Sequence, residues 1–161
     1  MLSADISVAA EEWRDLVPDV ENHCLKTLVA ASAAIDQENR SLAVLLDDNA
    51  ALQDLNTRFR GKDKPTNVLS FPAPPLPPGM PDLPDGGPTH LGDLALSCTV
   101  VRQEAAEQGK NVGDHFSHLL VHGLLHLLGY DHESKEEAVR MERLEIDILA
   151  GMGIANPYEL E

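Results

Sequence analysis

The chain has 161 residues, 43% of them hydrophobic and only 4% aromatic, with a formal net charge of −15 at pH 7. That length is enough for one domain, residues 1–161, with a real hydrophobic core. The charge argues against broad nucleic-acid binding, and no apolar stretch is long enough to cross a bilayer.

The N-terminus lacks a basic region ahead of an apolar run, so no signal peptide is expected. Cys24 and Cys98 form no C-x-x-C pair and suggest no disulfide framework. A reducing, cytoplasmic compartment is the expectation.

In chain order, Ile6–Val8 is short and β-branched, as an edge strand would be. Pro18 suits a helix start, and Val20, Cys24, Leu28, Ala31 and Ile35 recur at helical spacing as a core stripe. His23 is read as surface. Ser41–Leu46 is an apolar run of strand length, followed by Asp47, Asp48 and Asn49, any of which can cap a helix. That helix carries Leu52, Leu55 and Phe59 inward and ends at Gly61, so Arg60 falls in its last turn, aimed away from the core. Thr66–Phe71 reads as a strand. Residues 72–89 hold eight of the eleven prolines and form a long loop within the domain; such loops are functional or disordered.

Asp93–Cys98 is again strand-like. Cys98 could be imagined as a metal ligand, but as a small buried residue at a strand end it needs no such role. Thr99–Gln108 reads as a helix closed by Gly109, with Val100, Val101 and Ala105 inward and Arg102 a possible neighbour of the site. Asp114 then caps a helix running to about Leu128. Ser134 and Glu137 have the spacing of a capping box. The last helix buries Ala138, Met141, Leu144 and Ile148 and ends near Gly151.

The helix from Asp114 carries the chemistry. His122 and His126 are four apart and share a helix face, Gly129 suits a left-handed turn, and His132 follows on the returning chain. A single histidine on an apolar helix is most often a satisfied core residue. Three in this order, interrupting the apolar run Leu119–Leu128, instead suggest one zinc ion held by three imidazoles plus water, with the open position of a catalytic site. His118 shares the face but lies about 12 Å along the helix from His126, too far for a third ligand, and is read as a hydrogen bonder behind the ligands. His115 is read as solvent-facing, and His90 has no assigned role. Asp131 is a candidate acid–base or imidazole-orienting carboxylate, or simply a turn former. Tyr130 is read as packing.

The spacing is similar to the metzincin pattern H-E-x-x-H-x-x-G-x-x-H. Gly123, however, stands where those peptidases keep their general-base Glu. A glycine inside a helix costs about 1 kcal/mol against Ala, so Gly123 implies close approach by a substrate or a neighbouring backbone. The whole stretch His122-Gly123-Leu124-Leu125-His126-Leu127-Leu128-Gly129-Tyr130-Asp131-His132 resembles the signature of the YbeY family of bacterial rRNA maturation factors. The blocks Asn56–Pro72 and Leu91-Gly92-Asp93-Leu94 support the resemblance, which spans about residues 42 to 158.

The resemblance implies a zincin-like topology and a single-strand-specific, metal-dependent endoribonuclease of rRNA maturation, acting in 16S rRNA 3′-end processing and ribosome quality control. It implies zinc ligands His122, His126 and His132, and a functional arginine at Arg60. Single-stranded rRNA precursor and ribosomal particles or proteins are the implied partners. Arg58, Arg60, Lys62 and Lys64 place four of twelve basic residues within seven positions. Alone such a run is a solvated loop; with the resemblance it becomes a phosphate-binding edge on an acidic body. Two other readings are a peptidase or esterase, which Gly123 opposes, and a non-enzymatic ribosome-assembly factor with structural zinc.

The fold expected is α+β: a single layer of about four mixed strands with helices mainly on one face and the metal site on a central, buried helix.

Overall fold

The computed structural model describes residues 2–60, 68–73, 89–130 and 134–158, with the side chains at 59 and 60 outside that description. The elements in order are β1 (Ser3–Val8), α1 (Glu12–Leu16), α2 (Val20–Ala34), β2 (Arg40–Asp47), α3 (Asn49–Arg60), β3 (Val68–Pro72), β4 (Thr89–Ser97), α4 (Cys98–Gln108), α5 (Val112–Leu127) and α6 (Lys135–Gly151). The four strands form one sheet in the order β1-β2-β4-β3. The first three are mutually parallel, and β3 runs antiparallel to β4. The chain is thus α+β with one mixed sheet.

The period-2 alternation of the strands sorts the side chains into two layers. Leu42, Val44 and Leu46 of β2 and Leu94 and Leu96 of β4 join the main core with Leu28 of α2 and Leu120, Val121 and Leu124 of α5. Ala95 of β4 and Leu69 of β3 fall on the other layer, where Leu52 of α3 covers them. Central β4 is buried through Leu94, Ala95 and Leu96, as a strand covered on both faces must be.

Two local readings are corrected and one helix is added. Helix α2 begins at Val20 after Asp19, whose backbone is left-handed at φ 52°, so Pro18 lies just outside it. The N-cap of α5 is Asn111, whose side chain accepts from Asp114 N–H at 3.2 Å; Asp114 sits in the first turn, where its charge favours the helix dipole. Helix α1 had no periodic signal because it is a single turn around one anchor. Trp13 is wholly buried, donates from Nε1 to Asp47 O at 2.9 Å and packs 4.9 Å from the Phe116 ring. Elsewhere the caps follow expectation: Asp48 accepts from Ala51 N–H and Ser134 from Glu137 N–H. No described helix is long and apolar enough to cross a membrane.

Candidate metal centre

Helix α5 packs on the sheet through Gly123. A Cβ built there would stand 2.8 Å from Leu94 Cδ2 and 3.4 Å from Val68 Cγ2. The close approach at Gly123 is therefore made by side chains of β4 and β3, not by a substrate or a neighbouring backbone.

At the end of α5 the last carbonyls are satisfied by the reversing chain. Gly129 N–H donates to His126 O and Tyr130 N–H to Leu125 O, both at 3.0 Å. This is the paired hydrogen bonding of a Schellman turn, which needs a left-handed residue at its corner. Gly129 supplies it at φ 98°. Tyr130 then packs against the main core. His132 and Asp131 lie outside the described residues, as do Lys62 and Lys64.

His122 Nε2 and His126 Nε2 stand 3.1 Å apart, so the two rings aim one nitrogen each at a common point. The other nitrogen of His122, Nδ1, donates to Glu145 Oε1. Glu145 comes from α6 and is 0% exposed. Its second oxygen accepts from the Tyr158 hydroxyl and lies 3.7 Å from His118 Nε2. His118 Nε2 is also 3.3 Å from Tyr158 Oη, which agrees with its reading as a hydrogen bonder behind the pair. Burial pushes the Glu145 carboxyl up, but the polar groups of His118, His122 and Tyr158 around it hold it down at about 2. Burial and the Glu145 charge push the Tyr158 hydroxyl up, so it stays protonated and donating.

Position 145 shows where sequence reasoning fell short. Met141, Glu145, Ile148 and Leu149 are the buried residues of α6, whereas Leu144 is only half-buried. A carboxylate on the 141/145/148 stripe was the available signal, since a buried charge requires partners.

Two other histidines also need correction. His115 is buried at 3% exposure and its Nε2 lies 3.0 Å from Glu104 Oε1. His23 is half-buried, with Nε2 2.8 Å from Ser117 Oγ and 3.2 Å from Gly113 O. Both sit where helix–helix packing, not local polarity, decides exposure. His90 lies 3.2 Å from Ser41 Oγ.

Of the basic edge, Arg58 is the member whose side chain is described. Arg58 Nε pairs with Asp54 at 3.2 Å, one turn earlier on α3, with both side chains more than half exposed. Arg60 ends α3 as expected, and its side chain lies outside the described residues. Arg102 Nη1 faces Glu12 at 3.8 Å, on the α1 side of α4. Cys98 Sγ lies 3.6 Å from the same carboxylate, and burial holds the Cys24 thiol up at about 12. Neither cysteine contributes to the histidine pair. A cleft of about 860 Å³ opens at the end of α5, its lining including Leu128, Gly129, Tyr130, Arg40 and Arg140.

No group of three metal-binding side chains occurs among the described residues. The pair nonetheless fits a metal, because two nitrogens at 2.0–2.1 Å from one tetrahedral ion stand roughly 3.3 Å apart.

The family model described as Endoribonuclease YbeY matches residues 3–153. A Bradyrhizobium sp. (strain BTAi1) protein named Endoribonuclease YbeY is 46% identical over 158 residues, covering 97% of this chain and 92% of the relative. Its Chelativorans sp. (strain BNC1) namesake is 47% identical over 158 residues, covering 96% and 91%. The solution structure of TM1509 from Thermotoga maritima shares the fold, with TM-score 0.56 over 97% of this chain and 99% of that one at 22% identity.

Proposed function

The chain belongs to the Endoribonuclease YbeY family, and on that footing we propose that it is a zinc-dependent endoribonuclease cutting single-stranded RNA during rRNA maturation. The observation that supports the metal dependence is the pair of imidazole nitrogens 3.1 Å apart while a buried carboxylate accepts a hydrogen bond from the far side of one ring. His132 is the proposed third ligand of a zincin-like centre on α5. Its substrate would be rRNA precursor, met in the cytoplasm on ribosomal particles.

When bound, zinc supplies Lewis acidity towards water and a phosphoryl oxygen. His122 and His126 would hold it through neutral Nε2 lone pairs, at the spacing their places one helical turn apart set. Arg60 would grip the scissile phosphate with its planar fork and stabilise the charge that gathers there in the transition state. Gly123 denies the site the carboxylate that peptidases carry next to their first histidine. Asp131 and the RNA's own 2′-hydroxyl are therefore the proposed proton-transfer groups. The cleft at the end of α5, lined by Arg40 and Arg140 beside Glu137, would be where a polyanion meets positive charge on an acidic molecule. The family's shared name disfavours a peptidase or esterase.

The test combines metal analysis with cleavage. The purified protein should contain one zinc per chain and cut single-stranded RNA but not duplex RNA or casein. Chelation should abolish cleavage and zinc restore it. Undiminished cleavage by a fully metal-free protein would overturn the reading.

A further inference from the structure

We propose that Glu145 is the positioning residue of this centre, fixing which nitrogen of His122 faces the metal, and that Tyr158 braces it from the chain's C-terminal segment. The proposal rests on the metal-holding role given above to His122.

An ionised carboxylate only accepts hydrogen bonds. The contact between Glu145 Oε1 and His122 Nδ1 therefore requires the proton of the neutral ring to sit on Nδ1. Nε2 is left as a lone pair, and it is Nε2 that points at His126 Nε2. A histidine with no such partner divides its proton between the two nitrogens, and the fraction carrying Nε2–H cannot ligate. A metal-bound imidazole typically has this arrangement behind it.

The other half of the carboxylate is held as carefully. After α6 the chain reverses through Gly153 and Ile154, whose N–H groups return to Ala150 O and Leu149 O. Lys110 Nζ then donates to Pro157 O at 2.7 Å, and Ile154 packs on the main core. These ties deliver the Tyr158 hydroxyl to Glu145 Oε2 although the residue as a whole is 42% exposed. Glu145 thus cannot rotate to release His122 without breaking a second bond. A purely structural role explains this poorly. On a buried stripe shared with Met141 and Ile148, an apolar residue of similar volume would fill the space without desolvating a charge.

The experiment reads the tautomer and the metal separately. In metal-free wild-type protein, two-bond proton–nitrogen NMR of His122 should show hydrogen on Nδ1. Glu145→Leu should move the ring towards the Nε2–H form and weaken zinc binding about 10- to 100-fold, with the fold checked by circular dichroism without metal. Glu145→Gln keeps an accepting oxygen and should lose less; Tyr158→Phe should lose less again. His122 carrying its proton on Nε2 in the wild type would overturn the proposal, as would unchanged zinc affinity in a folded Glu145→Leu protein. A wild type that takes up no zinc would end the functional reading, while the tautomer would still decide the role of Glu145.

Discussion

The histidine face of α5 and the last turn of α3 are held in opposite ways. On α5, His122 is tied to a fully buried carboxylate 23 residues on, and that carboxylate to a tyrosine from the C-terminal segment. On α3, Arg58 has a neighbour on its own helix, with side-chain exposures of 68% and 57% for the pair. The difference follows from the tasks. Ligands to one ion must be set before it arrives, within a few tenths of an ångström, whereas a side chain that meets a flexible polyanion loses little by being mobile beforehand. The two regions should therefore fail differently.

The largest effect is expected at the histidine face. His126→Ala should lose zinc and RNA cleavage together, read by metal analysis and a cleavage assay, because a site with one helical ligand gone has no second nitrogen at 3.1 Å. Arg60→Ala should instead keep its zinc and lose about 10²–10³ in cleavage rate, the scale of one lost transition-state donor. Zinc loss in Arg60→Ala would break the division between the regions; cleavage at the wild-type rate would remove Arg60 from the mechanism.

Stability separates them next. Gly123→Ala places a methyl 2.8 Å from Leu94 Cδ2, and Leu94 is itself buried in the main core. Overpacking costs about 1–3 kcal/mol, and the gain in helix propensity returns about 1 kcal/mol. A net loss of about 1 kcal/mol is expected in urea unfolding of the metal-free protein. A stabilised variant would mean that Leu94 can rotate aside and that Gly123 is not a packing requirement.

A smaller effect should appear in pH dependence. Burial lowers the pKa of His115, with Glu104 opposing it, so the unfolded chain takes up the proton first. The stability it contributes is complete above about pH 6.5 and is lost as pH falls through the lowered native value. Unfolding free energies of wild type and His115→Gln at pH 7.5 and 5.5 should differ more at one pH than the other, the wild type falling further on acidification. Parallel behaviour would show that Glu104 fully offsets the effect of burial on His115.

What could be read from the residues tracks how local each cause was. The stripes of α2 and α4, the Asp48 and Ser134 caps and the i, i+4 pair His122 and His126 depend on neighbours within one turn, and each lies in the chain as a pattern. The apolar run at the centre of β2 is likewise legible as a strand, whereas its pairing with β1 and β4 joins residues about 40 to 50 positions apart. Helix α1, the burial of His23 and His115, and above all the alignment of Glu145 with His122 depend on partners tens of residues away, and no spacing rule announces them. A charge on a buried stripe is the exception, because helical period alone marks position 145 as costly without a partner.

The smallest expected effect belongs to Arg58. Its pairing with Asp54 is an exposed i, i+4 contact, worth about 0.3–0.5 kcal/mol, so Arg58→Ala should barely move the unfolding midpoint. If the α3 turn works as a diffuse phosphate edge, the variant should instead show a raised KM for single-stranded RNA and an unchanged kcat, since a contact made equally in ground and transition states changes binding alone. Its contribution should also shrink with added salt, because an exposed charge is screened over about 10 Å at 0.1 M. A fall in kcat with KM unchanged would instead give Arg58 a part in stabilising the transition state, and the α3 turn would then be as closely set as the histidine face.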